Sequence, residues 1–412
     1  ATVVVSNGVF ANGGGNAALT LTNRFVFQTN RLRFESGVGL HLTTPITLNG
    51  HTYLEQSSGN HMSAMTLSGN IGESAPGCHL AVWAGDNRVL SLKGDNSYSG
   101  GTSLTNGFLA IGHTNALGSG TLSLIGDTNA TAATRVFLLP LQDMTLPNAL
   151  DIRDDFAIGD SGYSGKTLAF TNAIALRGPV TNYNIGFGSY NRLNLHNDIA
   201  MPDGPCSVRL AGGHGILSLT GSNAFSSVVF DNGDTYLGTG LYGLYVAGDH
   251  ALGSGLLTIK AYNVHDRYQH IRADPGPATV ANDIWIDDAF SVWDGYLWLI
   301  LGGNGQALKL TGEMLGSTSN NATGRNKVEV KSGATLAVTG RINARVTVEA
   351  GAAFSAGDGC GALTVNSNLL FSSGASLFKV DLAGTIPGRK HDQVTINNGV
   401  VTLNGATFTN SP

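Results

Sequence analysis

The sequence predicts an all-β protein built as a solenoid, in which short strands stack in successive coils. Apolar and polar residues alternate in short runs along the whole chain, which is the period of a strand with one buried face. Turn-forming pairs such as Asn-Gly, Asp-Gly and Ser-Gly bound almost every run. A strand, a glycine turn and another strand recur at intervals of about 20 residues, which is typical of coils that bury their apolar faces only by stacking.

The recurring arrangement has a defined register. Val328 and Val330 precede Gly333 on one face of a strand, and the same arrangement recurs before Gly351 and Gly374. We therefore expect coils of about 20 to 25 residues in a parallel stack. A series of antiparallel sandwiches is the alternative, and it fits less well because these intervals are long for hairpins.

Composition excludes several other classes. Glycine accounts for 57 of 412 residues and charged residues for 12 %, which argues against a charged helical bundle or coiled coil. The 42 % of apolar residues and the net charge of −5 argue against disorder. The absence of a basic run predicts no nucleic-acid partner, and no apolar run is long enough to predict membrane insertion within this chain. The chain begins with Ala1, which fits an exported chain whose signal has been removed.

The sequence also contains a second, longer repeat that spans several coils. Residues 90–99 align with residues 217–226, and Ala-Leu-Gly-Ser-Gly occurs at both 116–120 and 251–255. Residues 308–312 begin a third copy. This spacing predicts that the chain consists of roughly three modules.

The first copy closely resembles the autotransporter-associated β-strand repeat, whose pattern runs Leu-Thr-Gly-x-Asn-x-Tyr-Ser-Gly-Gly-Thr before a glycine turn and Leu-Gly-x-Gly. The resemblance rests on residues 94–102, Asn106-Gly107 and residues 116–120. It implies a right-handed parallel β-helix, an exported protein of the bacterial cell surface and no family-wide catalytic residues. We predict one continuous, elongated β-solenoid over residues 1–412, with approximate modules 1–150, 151–286 and 287–412.

Matching positions of the first two copies are predicted to be structural. They are Gly94, Asn96, Tyr98, Gly221, Asn223 and Phe225. Glycine permits the positive φ of sharp corners, and stacked asparagines can form amide ladders, for which Asn96 and Asn223 are candidates. Ligand binding at the two asparagines is the alternative.

Parallel β-helices include polysaccharide-active enzymes, so paired acids with a histidine are candidate catalytic groups. Asp154-Asp155 and the Gly-His-Gly around His214 look like elements of polygalacturonases, where two carboxylates act as acid and base. In that family the two elements lie about one coil apart, whereas here they are separated by roughly two to three coils. The supporting motifs are also missing, so we predict no enzyme activity.

Other motifs are weaker. Residues 159–162 resemble the nucleophile loop of chymotrypsin-like proteases but have no matching histidine element, and residues 13–16 lack the aspartate of a calcium repeat. The densest histidine and aspartate group comprises His265, Asp266, His270 and Asp274. It has no cysteine partner, so we predict neither a metal nor a cofactor. Cys78, Cys206 and Cys360 are odd in number and are expected to be small buried groups.

Aromatic residues are concentrated in one segment. It contains Trp285, Trp293, Tyr296 and Trp298. Exposed indoles stack on sugars or anchor interfaces, whereas buried ones pack the core, so this segment is a candidate interface or glycan contact with core packing as the favoured alternative.

These patterns together predict a non-enzymatic, extracellular structural protein. The strongly β-forming ends, residues 1–5 and 400–403, show no helical cap, and uncapped strand edges template further strands. We therefore expect a homopolymer in the form of a filament or surface layer. The alternatives are a passenger-type adhesin that binds glycan or a host surface and, less favoured, a polysaccharide-active enzyme.

Overall fold

The computed structural model describes residues 1–12, 18–36, 39–58, 65–85, 88–126, 136–160, 162–178, 181–188, 190–211, 215–231, 243–260, 267–287, 297–317 and 326–410. This part of the chain forms 42 strands and no helix, which confirms the predicted all-β class. Among these residues, then, no helix is long and apolar enough to cross a bilayer.

The chain divides into two compact units, residues 1–204 and residues 205–412. The strands of the first unit are β1 Thr2–Val5, β2 Gly8–Asn12, β3 Leu19–Leu21, β4 Arg24–Ser36, β5 Leu40–Leu42, β6 Ile46–Ser58, β7 Met65–Leu67, β8 Ile71–Glu73, β9 Leu80–Ala84, β10 Val89–Leu92, β11 Thr102–Ile111, β12 Leu122–Leu124, β13 Val136–Pro140, β14 Met144–Leu146, β15 Leu150–Ile152, β16 Phe156–Ile158, β17 Thr167–Phe170, β18 Ile174–Leu176, β19 Asn182–Phe187, β20 Asn191–Leu195 and β21 Ile199–Ala200.

The strands of the second unit are β22 Ser207–Ala211, β23 Gly215–Leu219, β24 Ser227–Asp231, β25 Gly243–Gly248, β26 Leu256–Lys260, β27 Arg267–Val280, β28 Ile284–Asp287, β29 Leu297–Leu301, β30 Leu308–Leu310, β31 Glu313–Ser317, β32 Lys327–Val330, β33 Ala334–Ala337, β34 Thr339–Ile342, β35 Arg345–Val348, β36 Ala353–Ser355, β37 Ala362–Val365, β38 Leu369–Phe371, β39 Leu377–Val380, β40 Gln393–Ile396, β41 Val401–Thr402 and β42 Thr407–Asn410. The division into three modules stays a prediction. The modules were defined by copies in the sequence, whereas the two compact units are defined by contacts in the structure, so one division does not test the other.

The first unit is a stack of parallel coils. Leu104 pairs with Leu124, Leu124 with Ile152, and Ile152 with Leu176, always in the parallel sense. Each strand therefore pairs with the strand one coil earlier and one coil later, which is the pairing of a parallel β-solenoid.

The second unit follows the same rule and confirms the predicted register. Val328 pairs with Val346 and Val346 with Leu369, which are the positions that the sequence pattern aligned. The glycine turns also stack, because the Gly333 amide donates to the Gly351 carbonyl at 3.0 Å.

The next coil, in which Leu369 pairs with Val401, is longer than the predicted range of about 20 to 25 residues. Coil length is therefore more variable than predicted.

The variation arises at corners and not within strands. The long coil contains the segment between β39 and β40, where Leu382 and His391 form an antiparallel bridge. A corner can accept such an insertion because only the strand positions must match the neighbouring coil. Insertions thus lengthen a coil without shifting its ladder.

The core of each unit consists of inward-facing apolar side chains stacked from coil to coil. The largest fully buried ones include Phe25, Phe27 and Tyr98 in the first unit and Phe225, Phe354 and Phe371 in the second. The second unit has a run of aromatic contacts in which ring centroids are 5.4 Å apart for Phe371 and Phe378 and 5.2 Å apart for Phe378 and Phe408. Such offset contacts add to the apolar burial that holds the coils together.

The longer sequence repeat corresponds to a repeated local structure. In the first unit, Asn148 Nδ2 donates to the Gly120 carbonyl at 2.6 Å, and in the second, Asn282 Nδ2 donates to the Gly255 carbonyl at 2.7 Å. These glycines end the two identical Ala-Leu-Gly-Ser-Gly segments. An asparagine one coil later thus supports the same turn in both copies.

Candidate functional site

Asn96 and Asn223 lie at equivalent corners and are both buried. The Asn96 side chain accepts from the Ile71 amide at 2.7 Å and donates to the Ala116 carbonyl at 2.5 Å. Asn223 Nδ2 donates to the Ala251 carbonyl at 2.7 Å. These side-chain amides therefore bind backbone of neighbouring coils and not one another.

The repeat glycines serve two different needs. Gly221 has a φ of 83°, in the left-handed region that favours glycine. At position 94 glycine is required because the backbone of another coil lies very close. A Cβ on Gly94 would lie 2.4 Å from the Gly69 carbonyl oxygen.

The repeat aromatics are core residues. Tyr98 and Phe225 are 0 % and 1 % exposed. The Tyr98 hydroxyl is hydrogen-bonded to Thr102 Oγ1 at 2.6 Å, and burial raises the pKa of Tyr98. The phenol stays protonated, which is the state of a packing residue with one satisfied polar atom.

An amide ladder occurs at another corner, near the end of the second unit. Asn366 Nδ2 donates to Asn343 Oδ1 at 2.6 Å, and Asn397 Nδ2 donates to Asn366 Oδ1 at 3.1 Å. Each asparagine follows a strand of the same ladder, β34, β37 or β40. The ladder links three successive coils.

The tryptophan segment is divided between sheets. Trp285 lies on β28 in the 26-stranded sheet, whereas Trp298 lies on β29 in the 16-stranded sheet. Trp293 and Tyr296, also predicted as contact residues, lie outside the described residues. Trp285 and Trp298 are therefore not neighbours along one ladder.

Trp298 is stacked on both sides. Tyr268 pairs with Trp298, and Trp298 pairs with Lys327, so the two partners flank it on adjacent coils. The Tyr268 ring centroid is 4.6 Å away at an interplanar angle of 29°, and Lys327 Nζ is 3.8 Å from the indole centroid. Both ring faces are occupied, so the geometry favours packing over the stacking of a sugar on the indole.

Sequence reasoning missed the cations of this row. Lys327 follows Trp298 by one coil and Arg345 follows Lys327 by another, and the three pair in register. The signal that could have found them is the alignment of Val328 with Val346, which places Lys327 opposite Arg345. Trp298 would have been included only if the same alignment had been continued one coil earlier, to β29.

His270 lies beside this row on β27 and is 5 % exposed. Arg272 Nη2 lies 3.2 Å from His270 Nδ1, and Arg272 Nη1 donates to the Tyr245 hydroxyl at 3.1 Å. Burial, followed by the positive charges of Arg272 and Lys331, lowers the pKa of His270 to about 4. Because guanidinium only donates, Nδ1 is the acceptor and the neutral ring carries its proton on Nε2.

His270 is expected to make the second unit less stable in acid. Between its ordinary pKa of 6.5 and its folded value of about 4, the unfolded chain binds a proton that the folded chain does not. Stability therefore falls as pH falls through that window, by about 2 to 3 kcal/mol at pH ~4.5. Besides Arg272 and Lys331, the Glu329 carboxylate acts on this ring and opposes part of the shift.

Urea unfolding of wild type and His270→Gln at pH 7 and pH 4.5, followed by tryptophan fluorescence, measures this effect. The variant should lose about 2 to 3 kcal/mol less than wild type on acidification. His250→Gln, at an exposed position of the same unit, is the control and should behave as wild type. Equal acid sensitivity in His270→Gln and wild type would contradict the assignment.

The candidate catalytic and metal residues are not brought together in the described part of the chain. Burial raises the pKa of Asp154, while Asp155 accepts from the Asn184 side chain at 2.6 Å. No described group of three or more histidine, cysteine or carboxylate side chains is arranged to hold a metal ion. Other residues of these motifs lie outside the described part: His214, Ser161, His265, Asp266 and residues 13–16.

The three cysteines are free thiols. Cys78 and Cys206 are buried as predicted, at 5 % exposure each. Cys360 is only half-buried, so the prediction of a buried group is wrong there. It lies in the corner segment between β36 and β37 and not on an inward-facing strand position.

Comparisons with protein-family models, curated proteins and solved structures found no match for this chain. The parallel β-solenoid therefore rests on the strand pairing itself.

Proposed function

We propose that this protein is a non-enzymatic structural β-solenoid of the bacterial exterior that assembles end to end through its first and last coils. One observation carries the proposal: the outermost strands of both end coils, β1 to β3 and β40 to β42, carry no charged side chain. Residues 1–23 and 393–412 contain no Asp, Glu, Lys, Arg or His, although 12 % of the chain is charged. Charged side chains are the usual protection of strand edges against pairing with other chains.

The last coil exposes core-facing apolar residues. Val401 and Phe408 are 45 % and 57 % exposed, although they continue the inward rows of Leu369 and Phe378. Leu369, one coil earlier in its row, is 1 % exposed. A further coil stacked on Val401 and Phe408 would bury them as Leu369 is buried.

The first coil has the same character. Val3 and Val5 on β1 are half-buried and pair with Phe25 and Phe27, which are 2 % and 0 % exposed. Within the described residues, β1, β2 and β3 each pair with one later strand and leave the opposite edge open. The first coil thus presents three parallel edges, as β40, β41 and β42 do in the last.

The stacking rows of the second unit can also be extended. Phe408 ends the aromatic run, and Asn397 ends the amide ladder with its own oxygen as an acceptor for the next coil. We assign the covering coil to a second copy of this chain. Joining the last coil of one copy to the first coil of the next is a heterologous contact, which produces an open filament.

The resemblance of the first repeat copy to autotransporter-associated repeats supports placement outside the cell. In this proposal the protein acts through length and rigidity. Stacked parallel strands give a stiff element, and end-to-end joining extends it.

Sedimentation velocity over a wide concentration range and negative-stain microscopy test the proposal on the 412-residue chain. Wild type should form filaments, whereas Val401→Lys with Phe408→Lys should stay monomeric because a charge buried without a partner strongly disfavours stacking. Leu382→Lys is the matched control, since Leu382 is 63 % exposed in the corner segment between β39 and β40. It should assemble as wild type does.

Two results would overturn the proposal. One is a wild type that stays monomeric at high concentration, as it would if other residues or partners cover these coils in nature. The other is equal assembly of the double lysine variant, which would place the contact elsewhere.

A further inference from the structure

The outer face of the second unit has two adjacent cations without an acidic partner. Lys327 and Arg345 pair in register on β32 and β35. The Lys327 ammonium lies over the Trp298 ring. In the described part of the chain, neither the Lys327 nor the Arg345 side chain forms a hydrogen bond or ion pair. Like charges opposite one another on neighbouring strands repel, so an anion placed beside both would stabilise the row.

The same face has N–H donors without acceptors. Trp298 Nε1 and Arg345 Nε are buried atoms with no hydrogen-bond partner in the described part of the chain. His270 Nε2 is a third, and the contact of Arg272 with Nδ1 makes it a donor. Buried donors are almost always paired with protein, water or a ligand, so three on one face indicate a missing acceptor.

These groups are neighbours by register. His270 and Tyr268 alternate with Gln269 on β27 and share its outer face, and Tyr268 pairs with Trp298. Arg272 lies against His270 Nδ1, so Nε2 is on the far side of the ring from Arg272. The row Tyr268, Trp298, Lys327 and Arg345 runs along the stacking direction over about 14 Å, at one residue per coil spacing of about 4.8 Å.

Among the residues that the structure describes, the acids nearby do not compensate these cations. Glu329 lies in the row of His270, separated from it by Ile300, and it pairs with Lys331 at 2.8 Å. Lys331 also pairs with Glu349. The positive charge of Lys327 and Arg345 is therefore available to a ligand.

We propose that this face of the second unit binds an anionic polysaccharide through its carboxylate groups. The two cations supply charge to the carboxylates. The indole, imidazole and guanidinium N–H groups are covered in the free protein, and they donate to carboxylate oxygens once the side chains over them move aside. A linear row of binding groups repeated at the coil spacing suits an extended polymer with regularly spaced acidic groups. The sugar rings do not stack on Trp298, because Tyr268 and Lys327 cover both faces of the indole.

This site goes beyond the proposed structural function and does not depend on end-to-end assembly. Binding is therefore measured in the Val401→Lys, Phe408→Lys background, with wild type alongside. The probe is a galacturonic acid oligomer of defined length, and isothermal titration calorimetry measures its affinity. The fully methyl-esterified oligomer has the same sugar chain without free carboxylates and is the matched ligand control.

Removing both cations is the principal test. Lys327→Gln with Arg345→Gln should weaken binding of the acidic oligomer by about tenfold or more. Lys309→Gln with Lys379→Gln removes the same charge elsewhere in the unit and should change affinity less than about twofold. Trp298→Phe keeps a stacked ring but removes the indole N–H, and it should weaken binding several-fold. Circular dichroism and thermal melting establish that each variant is folded.

Several results would overturn the inference. They are no binding of the acidic oligomer by the parent chain, equal binding of the esterified oligomer, or an equal loss in the Lys309, Lys379 control. Tighter binding of a polyglutamate peptide than of the sugar would assign the face to an acidic protein partner instead. If the cation variant does not fold, unchanged affinity in Trp298→Phe would be sufficient to reject the site.

Discussion

Replacing Gly107 with alanine is expected to destabilise the first unit by about 3 to 5 kcal/mol. Gly107 has a φ of 82°, and a Cβ at this position would lie 1.7 Å from the Ala84 carbonyl oxygen. The clash is with backbone of the neighbouring coil, so no side-chain movement can relieve it. Either the strand shifts or the coil spacing increases locally, and each breaks ladder hydrogen bonds.

Gly77→Ala separates conformational strain from the clash. Gly77 has a similar φ of 95°, but no atom lies within 4 Å of the position that a methyl group would take there. We expect a loss of only about 1 kcal/mol for this variant. Urea unfolding of both variants measures the difference, and equal losses would show that the close approach at Gly107 relaxes without cost.

Truncating Tyr98 to alanine is expected to cost about 3 to 5 kcal/mol, because it removes a fully buried aromatic ring between coils. Tyr98→Phe should cost only about 1 kcal/mol. It removes the hydrogen bond to Thr102 but leaves that hydroxyl bonded to the Leu117 carbonyl at 3.0 Å. Urea unfolding of the two variants divides the contribution of Tyr98 into packing and hydrogen bonding.

The second repeat copy provides a natural comparison. Phe225 is buried at the matching position, and the buried residue at the start of the following strand is Val228, which has no hydroxyl. Phe225→Tyr should therefore give no gain in stability. A stabilisation equal to the loss in Tyr98→Phe would contradict this account, since it would mean that the phenol finds an equivalent partner there.

The solenoid was predictable because its signals are local. Alternation at Val328 and Val330 indicates which side chains face inward, and Gly333 indicates where the strand ends. A coil can stack only if its neighbours repeat these positions, so the spacing of the pattern translates directly into ladder partners. The matching turns supported by Asn148 and Asn282 likewise follow from identical sequence.

The candidate sites were much less predictable. Four aromatic residues close in sequence indicated one contact surface, yet Trp285 lies in the 26-stranded sheet and Trp298 in the 16-stranded sheet. The ring partners of Trp298 come from the coil before it and the coil after it, not from its own segment. Asn96 and Asn223 were expected to bind other side-chain amides but bind backbone carbonyls.

The sequence by itself determined the strand content, the inward faces, the glycine turns and the register of the most regular coils, since each depends on residues within one strand and its turn. The tertiary structure decided which side chains meet across coils, including the Trp298 row with Lys327 and the contact of Arg272 with His270. The physical reason is that corner insertions vary coil length, so that the coil ending at Val401 is much longer than the coil ending at Val346. Which side chains meet across two coils depends on the length of the corner segments between their strands, and the alternating pattern within a strand does not record that length.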